Sequence, residues 1–196
     1  MTSGQIALLV LLVVVVVAIG VAVGMLMRRR ALQRRFGPEY DRAVQQHESR
    51  LAADRELINR EKQHAQLTLR DLKPSARDRY AHEWRDVQAQ FVTDPAGAVV
   101  AGDDLVTRLV ADRGYPTDDY DRQLAVLSVE HARPLAHYRD AHDIFLRGQR
   151  GDATTEELRQ SLVHYRALFA DLLDERPSDL TPSEAQSEAT DVRGTR

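Results

Sequence analysis

Residues 6–27 read IALLVLLVVVVVAIGVAVGMLM, and Arg28, Arg29 and Arg30 follow directly. These 22 residues carry no charged, amide or hydroxyl side chain. A helix of this length extends about 33 Å at about 1.5 Å per residue, which is enough to cross a hydrocarbon core of about 30 Å. The stretch therefore predicts a transmembrane anchor over residues 1–27, followed by a basic juxtamembrane segment over residues 28–37.

A cleaved signal peptide is the alternative interpretation of an apolar N-terminal segment. Such a signal has a basic start, an apolar core of about 7–15 residues and a small-residue cleavage site. Residues 1–5 contain no basic side chain, and cleavage near Ala18-Ile19-Gly20 would leave the apolar residues 21–27 on the mature protein. The pattern favours an uncleaved anchor.

Basic residues flank the span on one side alone. Because cytoplasmic flanks carry the excess of Lys and Arg, this bias predicts a single-pass cell-membrane protein with its N-terminus outside and its C-terminal domain in the cytoplasm. An outward-facing envelope protein is the alternative topology. The same side chains are expected to contact anionic lipid headgroups of the bilayer. They are Arg28, Arg29, Arg30, Arg34 and Arg35.

Gly20 and Gly24 form a G-x-x-x-G motif within the span. Glycines four residues apart share one helix face and allow a second helix backbone to approach closely in lipid. The motif is typical of a transmembrane homodimer face. Its alternative is that these are small residues which a membrane helix simply tolerates.

Charge and cysteine content exclude several classes of protein. The 196 residues carry a formal net charge of −3 despite the five clustered arginines, so the remainder is acidic. An acidic body argues against nucleic acid as a partner. There is no cysteine, which excludes a disulfide framework, a thiolate metal site and a cysteine nucleophile.

Residues 38–74 are predicted as a stalk helix and a connector. Val44, Leu51, Ile58 and Ala65 recur every seven residues among many charged side chains, which indicates one long and largely solvated helix from Pro38 to about residue 66. One apolar residue per heptad is too few for a two-position coiled-coil seam. Residues 67–72 alternate between apolar and polar types, as an extended connector does.

Residues 75–173 predict a bundle of about five amphipathic helices, which makes the fold class all-α. Tyr80, Trp84, Val87 and Phe91 form an apolar stripe at helical spacing. Capping and turn residues indicate the helix boundaries at Asp94-Pro95, at Gly114 and at Thr154 with Glu157. Residues 174–196 are acidic and poor in large apolar residues, which predicts a disordered tail.

No catalytic residue, cofactor site or metal site is predicted. The chain lacks G-x-S-x-G, G-x-G-x-x-G and P-loop motifs. Its seven histidines stand at 47, 64, 82, 131, 137, 142 and 164, so no two lie three or four residues apart on one helix face. We expect His131, His137 and His142 to lie near Asp140 and Asp143, as solvated or capping groups or as a pH-sensitive contact.

Four stretches together carry a family resemblance: residues 34–41 (RRFGPEYD), Trp84…Gln88…Phe91 followed by Asp94-Pro95, residues 113–116 (RGYP) and residues 163–169 (VHYRALF). The chain resembles, up to about Leu173, a family of uncharacterised actinobacterial membrane-anchored proteins often labelled "secreted protein". This resemblance implies an N-terminal membrane span, and it brings no activity, ligand or site residue.

The sequence thus favours a membrane-anchored helical interaction or scaffold protein without enzymatic activity, which would dock an unidentified protein partner or a second copy of itself. The alternative from another class is an enzyme whose site combines scattered polar residues such as His82, Asp86, His131 and His142.

Overall fold

The computed structural model describes residues 3–174, with side chains from Leu11 onward, and within that range it contains eight α-helices and no strand. The all-α prediction is confirmed, and five of the helices lie in the region predicted as the bundle. Apart from Asp174, the predicted acidic tail lies outside the described residues. The helices are α1 Ser3–Phe36, α2 Pro38–Gln46, α3 Arg50–His64, α4 Pro74–Gln90, α5 Pro95–Asp112, α6 Tyr120–Leu127, α7 Ala132–Gln149 and α8 Thr155–Leu172.

The main core is formed by α4 to α8. Helix α8 packs between α7 and α5, and α4 packs on α5. The predicted aromatic stripe faces this core: Tyr80, Trp84 and Val87 are buried, and the Trp84 ring stacks on Phe169 with centroids 4.8 Å apart. Stacked aromatic rings combine a large apolar burial with a favourable offset geometry.

Local sequence signals set the ends of these helices as predicted. Asp94 caps α5 by accepting a hydrogen bond from the backbone N–H of Gly97 at 2.9 Å. Thr154 and Glu157 form a reciprocal capping box at the start of α8. Gly114 follows α5 with a φ of 93°, a left-handed conformation that favours glycine.

The prediction of one long stalk helix over residues 38–66 is wrong. The chain turns at residues 47–49, so α2 and α3 form an antiparallel hairpin in which the Ser49 hydroxyl caps α3 by accepting from the N–H of Ala52. The buried stripe also differs from the predicted heptad, since Leu51 and Ala65 are exposed. The hairpin is stable as a unit of the body because its halves bury other residues against each other, namely Tyr40, Ala43, Ala53 and Leu57.

A second core joins this hairpin to α1 and to the main bundle. It consists of Leu32 and Phe36 from the end of α1, the four buried hairpin residues just given, and Val129 from the loop between α6 and α7. Gly37, at a φ of 46°, and Pro38 turn the chain sharply between α1 and α2, as their sequence predicts. The apolar N-terminal helix therefore ends inside the folded body.

Candidate functional site

The junction between α1 and the helical body is the first feature with functional meaning. Leu32 and Phe36 lie one turn apart on α1 and are buried, with Phe36 0% exposed. They pack in the second core with Leu57 of α3 and with Val129. Helix α1 therefore continues without interruption from its exposed apolar part into a core of the body.

Two of the five predicted headgroup-contacting arginines take part in this junction. Arg29 pairs with Asp54 of α3 at 3.5 Å, and Arg35 pairs with Glu61, one to two turns further along both helices, at 3.2 Å. The matching spacing of the two pairs shows that α1 and α3 run parallel. Arg35 also donates to the carbonyl of Val129 at 3.5 Å. Both arginines therefore help to hold α1 against the body.

The other three arginines are exposed. Within the described residues, Arg28, Arg30 and Arg34 make no ion pair, so their charges face outward at the end of the apolar segment.

An apolar groove of about 540 Å³ separates the last apolar turns of α1 from the first turns of α3. Its α3 wall contains Leu51, which is 52% exposed, and its rim carries Arg28 and Arg55. Because Leu51 lines the same groove as Met25 and Leu26 of α1, the start of α3 lies level with the end of the apolar part of α1.

Helix α1 is the one helix in the described chain that is long and apolar enough to cross a membrane, over Leu11–Phe36. The apolar part of this stretch is not buried in the protein. A signal sequence near an N-terminus has the same properties. Gly20 and Gly24, the predicted dimer face, lie in this part, and a Cβ added to either would meet no atom within 4 Å.

The polar residues of the enzyme alternative are not assembled into one site. His82 pairs with Asp86 on the exposed surface of α4, at 3.7 Å. No hydrogen bond, ion pair or ring contact within residues 3–174 connects this pair with His131 or with His142. Of the predicted cluster of three histidines with Asp140 and Asp143, the structure brings together His137 and Asp140. His131 and His142 belong to separate groups, because they contact Asp171 of α8 and Asp103 of α5.

The first of these groups surrounds His131, which is buried near the end of α8. Its Nδ1 lies 2.5 Å from Oδ2 of Asp171, and its Nε2 lies 3.1 Å from the Tyr115 hydroxyl. Burial raises the pKa of Tyr115, and the negative charge of Glu130 raises it further. Tyr115 therefore stays protonated, and the group serves to tie the loop after α5 to α8.

The second group surrounds Asp103 of α5. The Tyr165 hydroxyl donates to Oδ1 of Asp103 at 2.5 Å, and Nδ1 of His142 lies 3.3 Å from the same oxygen. The Tyr120 ring stacks on His142 with centroids 4.3 Å apart. Burial, followed by the charge of Asp103, raises the pKa of Tyr165 well above its usual range, so this tyrosine acts as a hydrogen-bond donor.

The third group lies on the exposed faces of α7 and α8. Nδ1 of His137 is 3.1 Å from Nδ1 of His164, and the latter atom is 3.8 Å from Oδ2 of Asp140. One ligand atom from each residue lies within 4.8 Å of the other two, so the three could hold a metal ion. Histidine spacing along a single helix could not reveal this group, because residues 137 and 164 meet across two helices.

In comparisons with known proteins, no family model, no curated protein and no solved structure matches the chain. The resemblance to membrane-anchored actinobacterial proteins stays a prediction. What the described residues define is a class, an all-α protein with one apolar helix near its N-terminus that could span a membrane or be a signal sequence.

Proposed function

We propose that this chain is a single-pass protein of the cell membrane, with its N-terminus outside, α1 retained as an uncleaved anchor and the helical body in the cytoplasm. We also propose that the body is an interaction or scaffold module without enzymatic activity, which docks a protein partner close to the membrane. The observation that carries the proposal is the continuity of α1 from its exposed apolar part into the second core.

That continuity supports an anchor over a signal peptide. Leu32 and Phe36 belong to the core of the body, and they lie on the same helix as the apolar residues before Arg28. Cleavage within the apolar part would leave several apolar residues projecting from the body into water. Each Å² of apolar surface left in water costs roughly 25 cal/mol. Retention in lipid removes that surface from water.

The arginines support both the orientation and a contact with anionic lipid headgroups. All five follow the apolar part, and four of them are exposed, namely Arg28, Arg30, Arg34 and Arg35, of which Arg35 pairs with Glu61. Attraction to an anionic leaflet contributes about 1 kcal/mol for each basic residue near the surface. Arg55, on the rim of the groove next to Arg28, adds a further exposed charge at this level.

A second copy of the chain is the other proposed partner, in a homodimer that forms through Gly20 and Gly24. Both glycines are open on the α1 surface, which supports close approach of another helix in lipid. In this arrangement a parallel pair of anchors would bring two helical bodies together at the same leaflet.

Topology is tested with paired reporters fused after Arg196, one active only in the cytoplasm and one active only after export. We expect the cytoplasmic reporter alone to be active, and an intact-mass measurement on the membrane fraction to show the complete N-terminus. A control variant with Arg28, Arg30 and Arg34 changed to Gln and with Ser3→Lys and Gln5→Lys should shift activity to the exported reporter. An active exported reporter on the unaltered chain, or a mature form that begins after residue 20, would overturn the anchor and its orientation.

The interaction role is tested by crosslinking in membranes followed by capture of the tagged full chain. The control is α1 alone, residues 1–36, fused to an inert fluorescent protein. We expect a partner that the full chain recovers reproducibly and the control does not. A monomeric full chain that recovers nothing beyond the control would contradict the interaction role while leaving the topology result intact.

A further inference from the structure

The group formed by His137, Asp140 and His164 has the composition of a metal-binding site. We propose that it binds a divalent transition-metal ion of the zinc type, with Nδ1 of each histidine and one carboxylate oxygen of Asp140 as ligands. The ion would bridge α7 and α8. This inference does not depend on the proposed membrane topology.

The distances fit such an ion. Two nitrogens that each lie about 2.0–2.1 Å from a tetrahedral zinc ion are about 3.3–3.4 Å apart. The two Nδ1 atoms are 3.1 Å apart, and Oδ2 of Asp140 is 3.8 Å from Nδ1 of His164. All three ligand atoms lie within 4.8 Å of one another, so rotations of these side chains are sufficient to place them around one ion.

The backbone holds the ligands in the required arrangement. His137 and Asp140 are three residues apart on α7, so their side chains share one helix face. His164 comes from α8, the helix with which α7 makes its most extensive packing. The planes of the two imidazole rings are inclined at 62°, with centroids 4.9 Å apart, so the nitrogens converge without the rings overlapping.

A neighbouring amide orients the less exposed ligand. The amide nitrogen of Gln160 lies 2.8 Å from Nε2 of His164. Rotating this amide by 180° puts its oxygen in the same place, where it accepts a hydrogen bond from Nε2–H and leaves the lone pair on Nδ1, the atom that faces His137 and Asp140. Metal-bound histidines are commonly oriented by a hydrogen bond of this kind at their other ring nitrogen.

The donor set also favours a transition-metal ion. A neutral imidazole is the form that binds a metal ion, and the carboxylate of Asp140 supplies one negative charge. Two histidines and one carboxylate leave a fourth position for water, and their mixed nitrogen and oxygen donors suit zinc better than magnesium or calcium.

The site is tested on the full chain in detergent, purified with a tag that contains no histidine and freed of metal with a chelator. Zinc is added in a calorimetric titration, and cobalt(II) is added in parallel because its visible absorption reports the coordination geometry. We expect one ion per chain and a tetrahedral cobalt spectrum. His137→Ala and His164→Ala should each weaken zinc binding by at least about tenfold, and Asp140→Asn should weaken it to a smaller extent.

A control variant separates this site from general surface binding. His82→Ala removes an exposed histidine that also has a carboxylate neighbour, Asp86, at 3.7 Å. It should leave the stoichiometry and affinity unchanged. The unfolding temperature should rise with zinc for the unaltered chain and for His82→Ala, and should not rise for His164→Ala. Binding that survives in His137→Ala and His164→Ala, or a stoichiometry near zero, would overturn the proposal and leave the two rings as a simple hydrogen-bonded pair.

Discussion

Arg139 of α7 and Glu39 of α2 form a two-pronged ion pair between two parts of the body that are 100 residues apart in the chain. The Nη1–Oε1 distance is 2.5 Å and the Nη2–Oε2 distance is 2.8 Å. The Glu39 side chain is 2% exposed. Because both carboxylate oxygens are satisfied away from water, the pair fixes the orientation of the hairpin, and hence of α1, relative to the main bundle.

Replacing Arg139 should therefore lower the stability of the folded body. Arg139→Met leaves the buried carboxylate of Glu39 without its partner, and we expect the free energy of unfolding to fall by about 3–5 kcal/mol. Urea unfolding of the full chain in detergent, monitored by circular dichroism, measures this change in the free energy of unfolding. The control is Arg150→Met, whose pair with Asp152 is exposed on both sides and contributes at most about 1 kcal/mol. The double variant Glu39→Gln with Arg139→Met should recover part of the loss, and equal losses for Arg139→Met and Arg150→Met would contradict the prediction.

Phe36 is the second point at which α1 is held. Phe36→Ala removes a fully buried ring from the second core and should lower the free energy of unfolding by about 3–5 kcal/mol. The same urea experiment measures the loss. Val92→Ala is the matched control, because Val92 is 85% exposed and its truncation should have almost no effect. A Phe36→Ala variant as stable as the control would show that α1 is not anchored in the core.

The ends of several helices could be predicted from the sequence. A cap or a left-handed turn depends only on a few neighbouring residues, and this holds for Gly37-Pro38, Asp94, Gly114 and the Thr154 capping box. The amphipathic stripe of α4 was predictable from its period. Both kinds of signal are local, so they can be recognised without knowledge of the tertiary structure.

Contacts between distant elements were not predictable. The break that turns the predicted stalk into a hairpin depends on Ser49, one polar residue in a long polar stretch, and on burial of Tyr40 against α3, which a heptad count does not reveal. The pairing of His137 with His164 depends on how α7 packs on α8. Periodicity along one helix contains no information about which residues of another helix it meets.

Gly114 and Gly151 make a matched pair for testing the cost of a side chain. Both have positive φ values, 93° and 79°, but a Cβ at Gly114 would lie 2.5 Å from the carbonyl oxygen of Thr68, whereas a Cβ at Gly151 meets nothing within 4 Å. We expect Gly151→Ala to cost about 1 kcal/mol from backbone strain alone. Gly114→Ala should cost about 2–4 kcal/mol, because the extended connector must also move. Thermal unfolding of both variants measures the difference, and equal costs would contradict the contact with the connector.

Stability should decrease on mild acidification because of His64. This side chain is buried, and burial lowers its pKa although the nearby carboxylate of Glu130, 3.6 Å away, opposes the change; the positive charges of Arg35 and His131 lower the pKa further. The unfolded chain takes up a proton near pH 6.5, and the folded chain does so only at lower pH. The free energy of unfolding therefore falls as pH decreases from about 6.5 toward the folded-state pKa.

The measurement is the urea midpoint of the full chain at several pH values between 7.5 and 5, roughly one unit to either side of the ordinary histidine pKa, with a chelator present so that metal binding does not contribute. His64→Gln cannot take up a proton in this range, so its midpoint should depend less steeply on pH than that of the unaltered chain. His82→Gln, at an exposed position on α4, is the control and should keep the original slope. If His64→Gln and His82→Gln show the same slope as the unaltered chain, His64 does not carry the acid sensitivity, and the burial of its ring cannot be its cause.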